Sequence, residues 1–398
     1  MYHDSYGGAE LAAEKMIALT SSGHEVSVMA LPPLSGRDSS IYRVRTIRQY
    51  FGMFGTLLTS LFPFDPLSYH DCRKHLKSVR PDVVHLHKFD AISCAIVSAA
   101  GSLDIPVVYS VYDYWLFCPT AMFLRPDSSI CMRNDSCVSC LRTRRGGFVR
   151  ALLFPITRWI LRRCVSQIDA FIVLSGASYL MLHRNGIPKK KISTVYLPFK
   201  SAAPSTHRIE KNAVLYAGWL EPHKGLHVLV DAMKIVVEKI PSAKLYVIGE
   251  YRRNPGYHSL ILKKIKESGL QKNILLLGKL SQDEFKKRFD SVKVVAIPEQ
   301  WENMSPLFLI ESLSAEKAVV ASKVGGIPEF IDDGKDGYLV FPDDAAGFAQ
   351  RIVEMLSDGS AASSFGRKAR TKILCMFNEK DILEKLINVY QSTFRYGK

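Results

Sequence analysis

Long apolar runs are missing from this chain: nowhere do about eighteen apolar residues stand together, so no segment reads as a membrane-spanning helix. The opening string YHDSYGGAELAAEK carries acids and glycines where a secretory signal would need a basic patch and an apolar stretch. Cysteine is sparse, eight in 398 residues, and scattered apart from one cluster. That usage argues against a disulfide scaffold and predicts a cytoplasmic location. No nucleic-acid-binding module is recognisable, and the basic residues near 142–163 alternate with apolar side chains rather than with stacking aromatics, so nucleic acid is not an expected partner. The second half of the chain also has no DxD-like acid pair at a strand end, so no divalent cation, and no other cofactor, is expected to be required for catalysis there.

Positive charge is abundant. A formal net charge of +15 and a pI near 9.4 predict an anionic partner, either an acidic membrane surface or a phosphorylated small molecule. With 47% hydrophobic and 23% charged residues the composition is globular, and the length exceeds what one hydrophobic core organises, so two domains are expected.

The order of elements follows from periodicity. Apolar residues recur at helical spacing from Leu11 to Leu19, Gly23-His24 ends that helix, and EVSVMAL follows as a strand. The alternation returns as PDVVHLH, a helix from about Ala91 and IPVVYSV, and again as DAFIVLS after a long helix. Apolar runs buried on both faces and separated by helices predict a doubly wound parallel sheet in an α/β domain over residues 1–198. The polar, proline-bearing stretch 198–211 reads as a linker. A second series follows over 211–365: AVLYAGW, HVLVDAMKIVVEKI, AKLYVIG, a basic helix, ILLLG, DEFKKRFDSV, KVVAIP, a helix opening near Pro306, and AVVAS. The two doubly wound domains are expected to face a cleft, with ligands at C-terminal strand ends. In such a domain a glycine loop follows the first strand, yet YGGAE starts five residues after Met1 and MYHDS is too short and polar to be a central strand. The first strand is therefore expected to be encoded in frame upstream.

Two constellations carry the chemistry. Gly218, Lys224 and Gly225 lie in a strand, loop and helix sequence, where a lysine beside a helix N-terminus can hold a diphosphate; a solvated loop lysine is the plainer alternative. In PEQWENMSPLFLIESLSAEKAVVASKVGGIPEFI, Ser305-Pro306 can open a helix whose first-turn N–H groups accept an anion. Glu311, flanked by Ile310 and Leu313 further along that helix, would need a partner if buried, which paired ribose hydroxyls supply; otherwise it is an exposed helix glutamate.

AGWLEPHKG, WENMSPLFLIES and VASKVGGIPEFIDDGKDGYLV together resemble the retaining GT-B glycosyltransferases of the glycosyltransferase family 4 group. The resemblance extends over nearly the whole chain, through YGGAE at 6–10, GHEVSVM, PDVVHLH and VYDYWLFCPT at 111–120. It implies two Rossmann-like domains of GT-B architecture and transfer of a sugar from a UDP-, GDP- or ADP-sugar to a lipid-linked, polysaccharide or other glycan acceptor, with retention of configuration. Residues 366–398 would form a helical segment packing back on the N-terminal domain. Lys224 would contact the donor diphosphate, Glu311 the ribose, and the backbone after Asn303, through Met304, Ser305, Pro306 and Leu307, would approach the sugar and phosphates. Gly218 lies in the same phosphate loop, Gly7 and Gly8 would bring the N-terminal loop near donor or acceptor, and Asp113 would line the acceptor side. Asp113, Lys224, Asn303 and Glu311 are thereby the expected catalytic set. The chain departs from the family at four places. Asn303 stands where the first of two glutamates is usual, with Glu302 one residue early; Trp219 replaces an arginine; Tyr112 replaces a histidine; and Leu197-Pro198 replaces Asn-Gly. Asn303 and Trp219 keep open a second reading, a non-catalytic sugar-nucleotide-binding homologue.

Two features lie outside that frame. Cys118, Cys131, Cys137 and Cys140 cluster in an insertion at 118–140, and the final C-x2-C spacing predicts a structural zinc or iron-sulfur site, against the alternative of small buried residues. RTIRQYFGMFGTLLTSLFPF from Arg45 and RTRRGGFVRALLFPITRWILRR from Arg142 mix arginines with large apolar residues, as interfacial helices do, which predicts a peripheral location at an anionic inner membrane face; core helices with exposed arginines would read the same way.

Overall fold

The structure, a computed structural model, describes residues 8–30, 41–88, 93–125, 129–131, 137–142, 147–199, 209–251 and 255–394. The chain divides into two units, Met1–Phe199 with Glu379–Lys398, and Lys200–Asn378.

The N-terminal unit opens with α1 (Gly8–Thr20), β1 (Val28–Ala30), β2 (Ile41–Arg43), α2 (Ile47–Leu61) and α3 (Pro66–Val79). It continues through β3 (Val84–Leu86), α4 (Ser93–Gly101), β4 (Val107–Ser110), α5 (Cys137–Arg142), α6 (Gly147–Ser166), β5 (Ala170–Val173), α7 (Gly176–Arg184) and β6 (Ile192–Thr194). Strands β3 to β6 form a parallel sheet in sequence order, and β1 pairs with β2 in parallel as a separate sheet. Both inner strands, β4 and β5, are buried along their whole length, which is why their sequences are continuous apolar runs. Helix starts are written locally: Asp65 accepts from the N–H groups of Leu67 and Ser68, and Pro66 needs no partner at the first helical position. Residues 1–7, with the first part of the YGGAE loop, lie outside the described residues, as does most of the linker.

The C-terminal unit runs β7 (Ala213–Ala217), α8 (Leu226–Lys239), β8 (Lys244–Ile248), α9 (Pro255–Glu267), β9 (Ile274–Gly278) and α10 (Gln282–Ser291). Then come β10 (Val294–Ile297), α11 (Leu307–Ser314), β11 (Ala318–Ser322), β12 (Tyr338–Val340), α12 (Ala345–Ser357) and α13 (Gly359–Met376). Its six strands are parallel and ordered β12-β11-β10-β7-β8-β9. Counted within the unit this is 6-5-4-1-2-3, the dinucleotide-fold order, whose direction of winding reverses between β7 and β10. Leu226, Leu229 and Met233 of α8 and Phe348, Ile352 and Met355 of α12 share one buried cluster with the sheet residues Val214, Leu245, Val294 and Val320.

Helix α13 packs on α11 and β11 of its own unit, so the segment expected from 366 onward to return to the first domain is split. The return is made by α14 (Glu379–Thr393), which contacts α1 and β4 and buries Ile382, Leu386 and Val389. Three-residue strands such as β2, β6 and β12 span too little chain to leave a periodic signal.

Candidate functional site

A doubly wound sheet leaves a crevice outside the carboxyl ends of the strands where its winding reverses. In the C-terminal unit those are the ends of β7 and β10, and the chains leaving them carry Lys224 and Glu299. They meet there: Lys224 Nζ donates to Glu299 Oε1 at 2.7 Å, with the lysine side chain 18% and the carboxylate 6% exposed. Asn303 Nδ2 donates to the same oxygen at 3.0 Å, and Trp301 Nε1 donates to Oε2 at 2.5 Å. Lys224 also stands 5.4 Å from the centre of the Trp301 ring. Glu299 thus accepts from three side chains, which compensates the cost of burying its charge.

The loops approach closely enough to require glycine at two points. Gly225 has φ +73°, and a Cβ there would fall 1.7 Å from the Pro298 carbonyl oxygen. Gly325 has φ +57°, and its Cβ would meet the backbone of Asn303 at 2.3 Å; the next N–H, of Gly326, donates to Asn303 O at 2.8 Å. Backbone contact therefore holds Asn303 and the β10 loop in place from both sides. Helix α11 starts after Pro306 with no side-chain cap; the N–H groups of Leu309 and Ile310 donate to the Pro306 carbonyl, and those of Leu307 and Phe308 at the helix start are the ones placed to meet an anion. Met304 and Pro306 are buried, Ser305 and Leu307 half-buried, and Glu311 is half-buried between the buried Ile310 and Ser312. Gly218 leaves β7 with its N–H donating to Ile248 O at 3.0 Å. His223, whose ring meets Trp301 edge-on at 5.6 Å, is pushed down to about 3 by burial and by the neighbouring Lys224 charge, so it is neutral at physiological pH. The local positive charge is accordingly that of Lys224 with the helix end.

Glu299 is the residue that sequence reasoning missed. Its one signal is position: it is the first residue past Pro298 at the end of a fully buried strand, where chemistry in this fold concentrates.

In the N-terminal unit, Asp113 Oδ1 accepts from the Trp115 N–H at 2.9 Å, tightening the loop after β4. Beside it, His87 Nδ1 and the Tyr112 hydroxyl are 3.0 Å apart. His85 Nδ1 lies 2.7 Å from the Tyr390 hydroxyl of α14 and its Nε2 2.8 Å from Ser110 Oγ. Burial pushes His87 down to about 4 and His85 well below the ordinary histidine value, so both rings are neutral. Burial raises the Tyr112 hydroxyl. Tyr112, which departs from the family pattern, is therefore a partner of His87, which follows the neighbouring strand β3. Gly8 is the first residue of α1, and Gly7 lies outside the described residues.

The 118–140 insertion holds the four cysteines expected to bind a metal. Cys118, Cys131, Cys137 and Cys140 are all buried and free, and close enough to perturb one another's ionisation, but among the described residues no three His, Cys, Asp or Glu side chains are arranged to hold a metal ion. Cys118 Sγ is instead 3.1 Å from Thr120 Oγ1, and burial pushes the Cys137 thiol up to about 11.

Comparison with known proteins agrees with this fold. Glycosyltransferase Family 4 matches residues 6–200 and Glycosyl transferases group 1 matches residues 200–372. A poly(ribitol-phosphate) alpha-N-acetylglucosaminyltransferase of Staphylococcus aureus is 27% identical over 228 residues, 57% of this chain and 45% of that protein, so the chain spans less than half of this relative's length. Glycogen synthase of Mycobacterium tuberculosis is 23% identical over 80% of this chain and 70% of its own. In fold, the crystal structure of Anabaena Alr3699/HepE in complex with UDP is similar with a TM-score of 0.72 at 17% identity, covering 98% of both chains. No helix among the described residues is long and apolar enough to cross a membrane.

Proposed function

The chain belongs to the GT-B glycosyltransferases of the family 4 group, and on that premise we propose that it transfers a sugar from a nucleotide-sugar donor to a glycan or lipid-linked acceptor, with retention at the anomeric carbon. The observation that carries the proposal is the convergence of Lys224, Glu299, Asn303 and the open end of α11 where the C-terminal sheet reverses its winding. As the glycosidic bond of the donor breaks, the leaving nucleoside diphosphate gains negative charge. Lys224 and the α11 N–H groups stabilise that charge, and Glu311 accepts from the ribose hydroxyls. A uridine donor is favoured, because the similar Anabaena structures hold UDP and UDP-glucose. Asp113 and the start of α1 serve the acceptor side.

The competing reading, a sugar-nucleotide binder without turnover, rests on Asn303 and Trp219. Glu299 weakens it, since a carboxylate hydrogen-bonded to Asn303 restores negative charge beside the position the family fills with glutamate. Both readings are tested by titrating UDP-sugars calorimetrically into the parent, Lys224→Ala and Glu311→Ala, and by assaying UDP release with glycan and lipid-linked acceptors. A charge-assisted hydrogen bond contributes roughly 1.5 to 3 kcal/mol, so each variant should bind at least about tenfold more weakly, Glu311→Ala with an unchanged melting temperature and Lys224→Ala with a lowered one, because Glu299 loses its ion partner. Parent-like affinity in both variants would remove the donor-site assignment. Tight donor binding without sugar transfer to any acceptor would favour the binder.

A further inference from the structure

The N-terminal unit carries an apolar surface that the donor chemistry does not use. Helices α2 and α6 pack on one another, and Thr157 of α6 donates to the Leu61 carbonyl at the end of α2 at 2.5 Å. On α2, Phe51, Met53 and Phe54 are exposed, Met53 at 91%. On α6, Phe148, Leu152 and Trp159 are 73%, 69% and 62% exposed. At helical periodicity these last three fall within an arc of about 40° of one another. An amphipathic helix normally turns such a stripe to the core; here it is turned to solvent. The exposure is built in rather than frayed: α2 begins with a capping box between Thr46 and Gln49, and its first N–H, of Ile47, donates to the buried Asp65 at 2.8 Å. Gly52, at φ +51° and ψ −124°, interrupts the helix within the aromatic run.

The charge around this surface has one sign. The sequence from 136 to 168 holds seven arginines and no acid, and α2 holds Arg48 and no acid. Arg163 lies over the Trp159 ring at 5.7 Å and Arg158 over Phe154 at 5.9 Å, so the guanidinium groups ride on the apolar stripe. Immediately before the α2 cap, Arg45 joins Arg73, Lys74 and Lys77 around a cavity of about 380 Å³ whose single carboxylate, Asp71, is already paired with Arg45. A protein partner would be met by a face with about one hydrogen bond per 100–200 Å². This one offers aromatic and aliphatic tips and arginines, with Gln49, Tyr50 and Thr56 among the exposed neutral polar side chains of α2. That is the chemistry of a bilayer interface with anionic headgroups.

We propose that α2 and α6 together form the surface by which the N-terminal unit lies on an anionic lipid bilayer, apolar stripe among the acyl chains and arginines at the phosphates. The proposal is independent of the donor site. Its test is co-sedimentation of the full chain with phosphatidylcholine vesicles, with and without 30 mol% phosphatidylglycerol, for the parent and for the double variant Phe148→Glu, Trp159→Glu. Both positions are solvent-exposed, so the melting temperature and UDP-sugar affinity should stay as in the parent, which separates failure here from failure of the donor assignment. The expected result is binding to phosphatidylglycerol-containing vesicles that is weak on pure phosphatidylcholine, falls with added salt, and is at least tenfold weaker in the double variant. Parent-like binding by the double variant, or no sedimentation of the parent with anionic vesicles, overturns the proposal. So does a concentration-dependent dimer that the variant abolishes while vesicles bind neither protein, which would assign the surface to a second copy of the chain.

Discussion

Three donors on one buried carboxylate define the site at the scale of residues. Lys224, Trp301 and Asn303 are spread over 80 positions of chain, and Glu299 gathers them. The positions of Lys224, in a strand-loop-helix junction, and of Glu311, on the helix after β10, were legible in the sequence. Glu299 was not, because its partner is 75 residues away and no local spacing connects them. The half-buried histidines make a prediction at this scale. The folded-state value of His87 is depressed to about 4, below the ordinary value near 6.5, so between those limits the unfolded chain binds the extra proton. Its contribution is fully present above pH 6.5 and is lost as pH falls toward 4, by up to about 1.4 kcal/mol per unit. Thermal melts from pH 7 to pH 5 should therefore show a shallower pH dependence for His87→Gln than for the parent. Equal slopes would mean that the ring is not neutral in the folded protein.

Elements place these residues through glycine more than through side-chain contact. Gly225 ends the turn that carries Lys224 and begins α8, with its hydrogen-bearing face against the Pro298 carbonyl. In Gly225→Ala the methyl group cannot be accommodated by a flexible side chain, because the clashing atom is backbone, and φ +73° is itself unfavourable for alanine. A left-handed alanine and overpacking together cost on the order of 2 to 5 kcal/mol. The variant should melt several degrees lower and bind UDP-sugars more weakly; a melting temperature and affinity equal to the parent's would show that the turn relaxes freely. In the cysteine insertion the C-x2-C pair Cys137 and Cys140 lies on α5 with both side chains buried, and burial raises both thiols beside Cys118 and Cys131.

Across the whole molecule the chain leaves the N-terminal unit at 199 and returns to it at 379. Helix α14 brings Ile382, Leu386 and Val389 into burial and Tyr390 to His85. Burying such aliphatic side chains contributes roughly 1.5 to 3 kcal/mol each, a sum comparable with the stability of an ordinary domain. Deleting 379–398 should therefore yield a protein that is insoluble or lacks near-ultraviolet circular dichroism. A truncated chain that melts cooperatively within a few degrees of the parent would show that the helix is only appended.

The alternation of strand and helix, the main parallel sheet of each unit and the positions of Lys224 in the loop after β7 and Glu311 on the helix after β10 were determined by the sequence alone. Parallel strands buried on both faces write themselves as continuous apolar runs, and helix ends carry local caps and glycines. The pairing of β7 with β10, and hence of Lys224 with Glu299, was decided only by the tertiary structure, as were the approach of Tyr390 to His85 and the outward turn of the α6 stripe. Each depends on which distant element packs beside which: a periodicity marks an apolar face, and only its neighbours determine whether that face is covered.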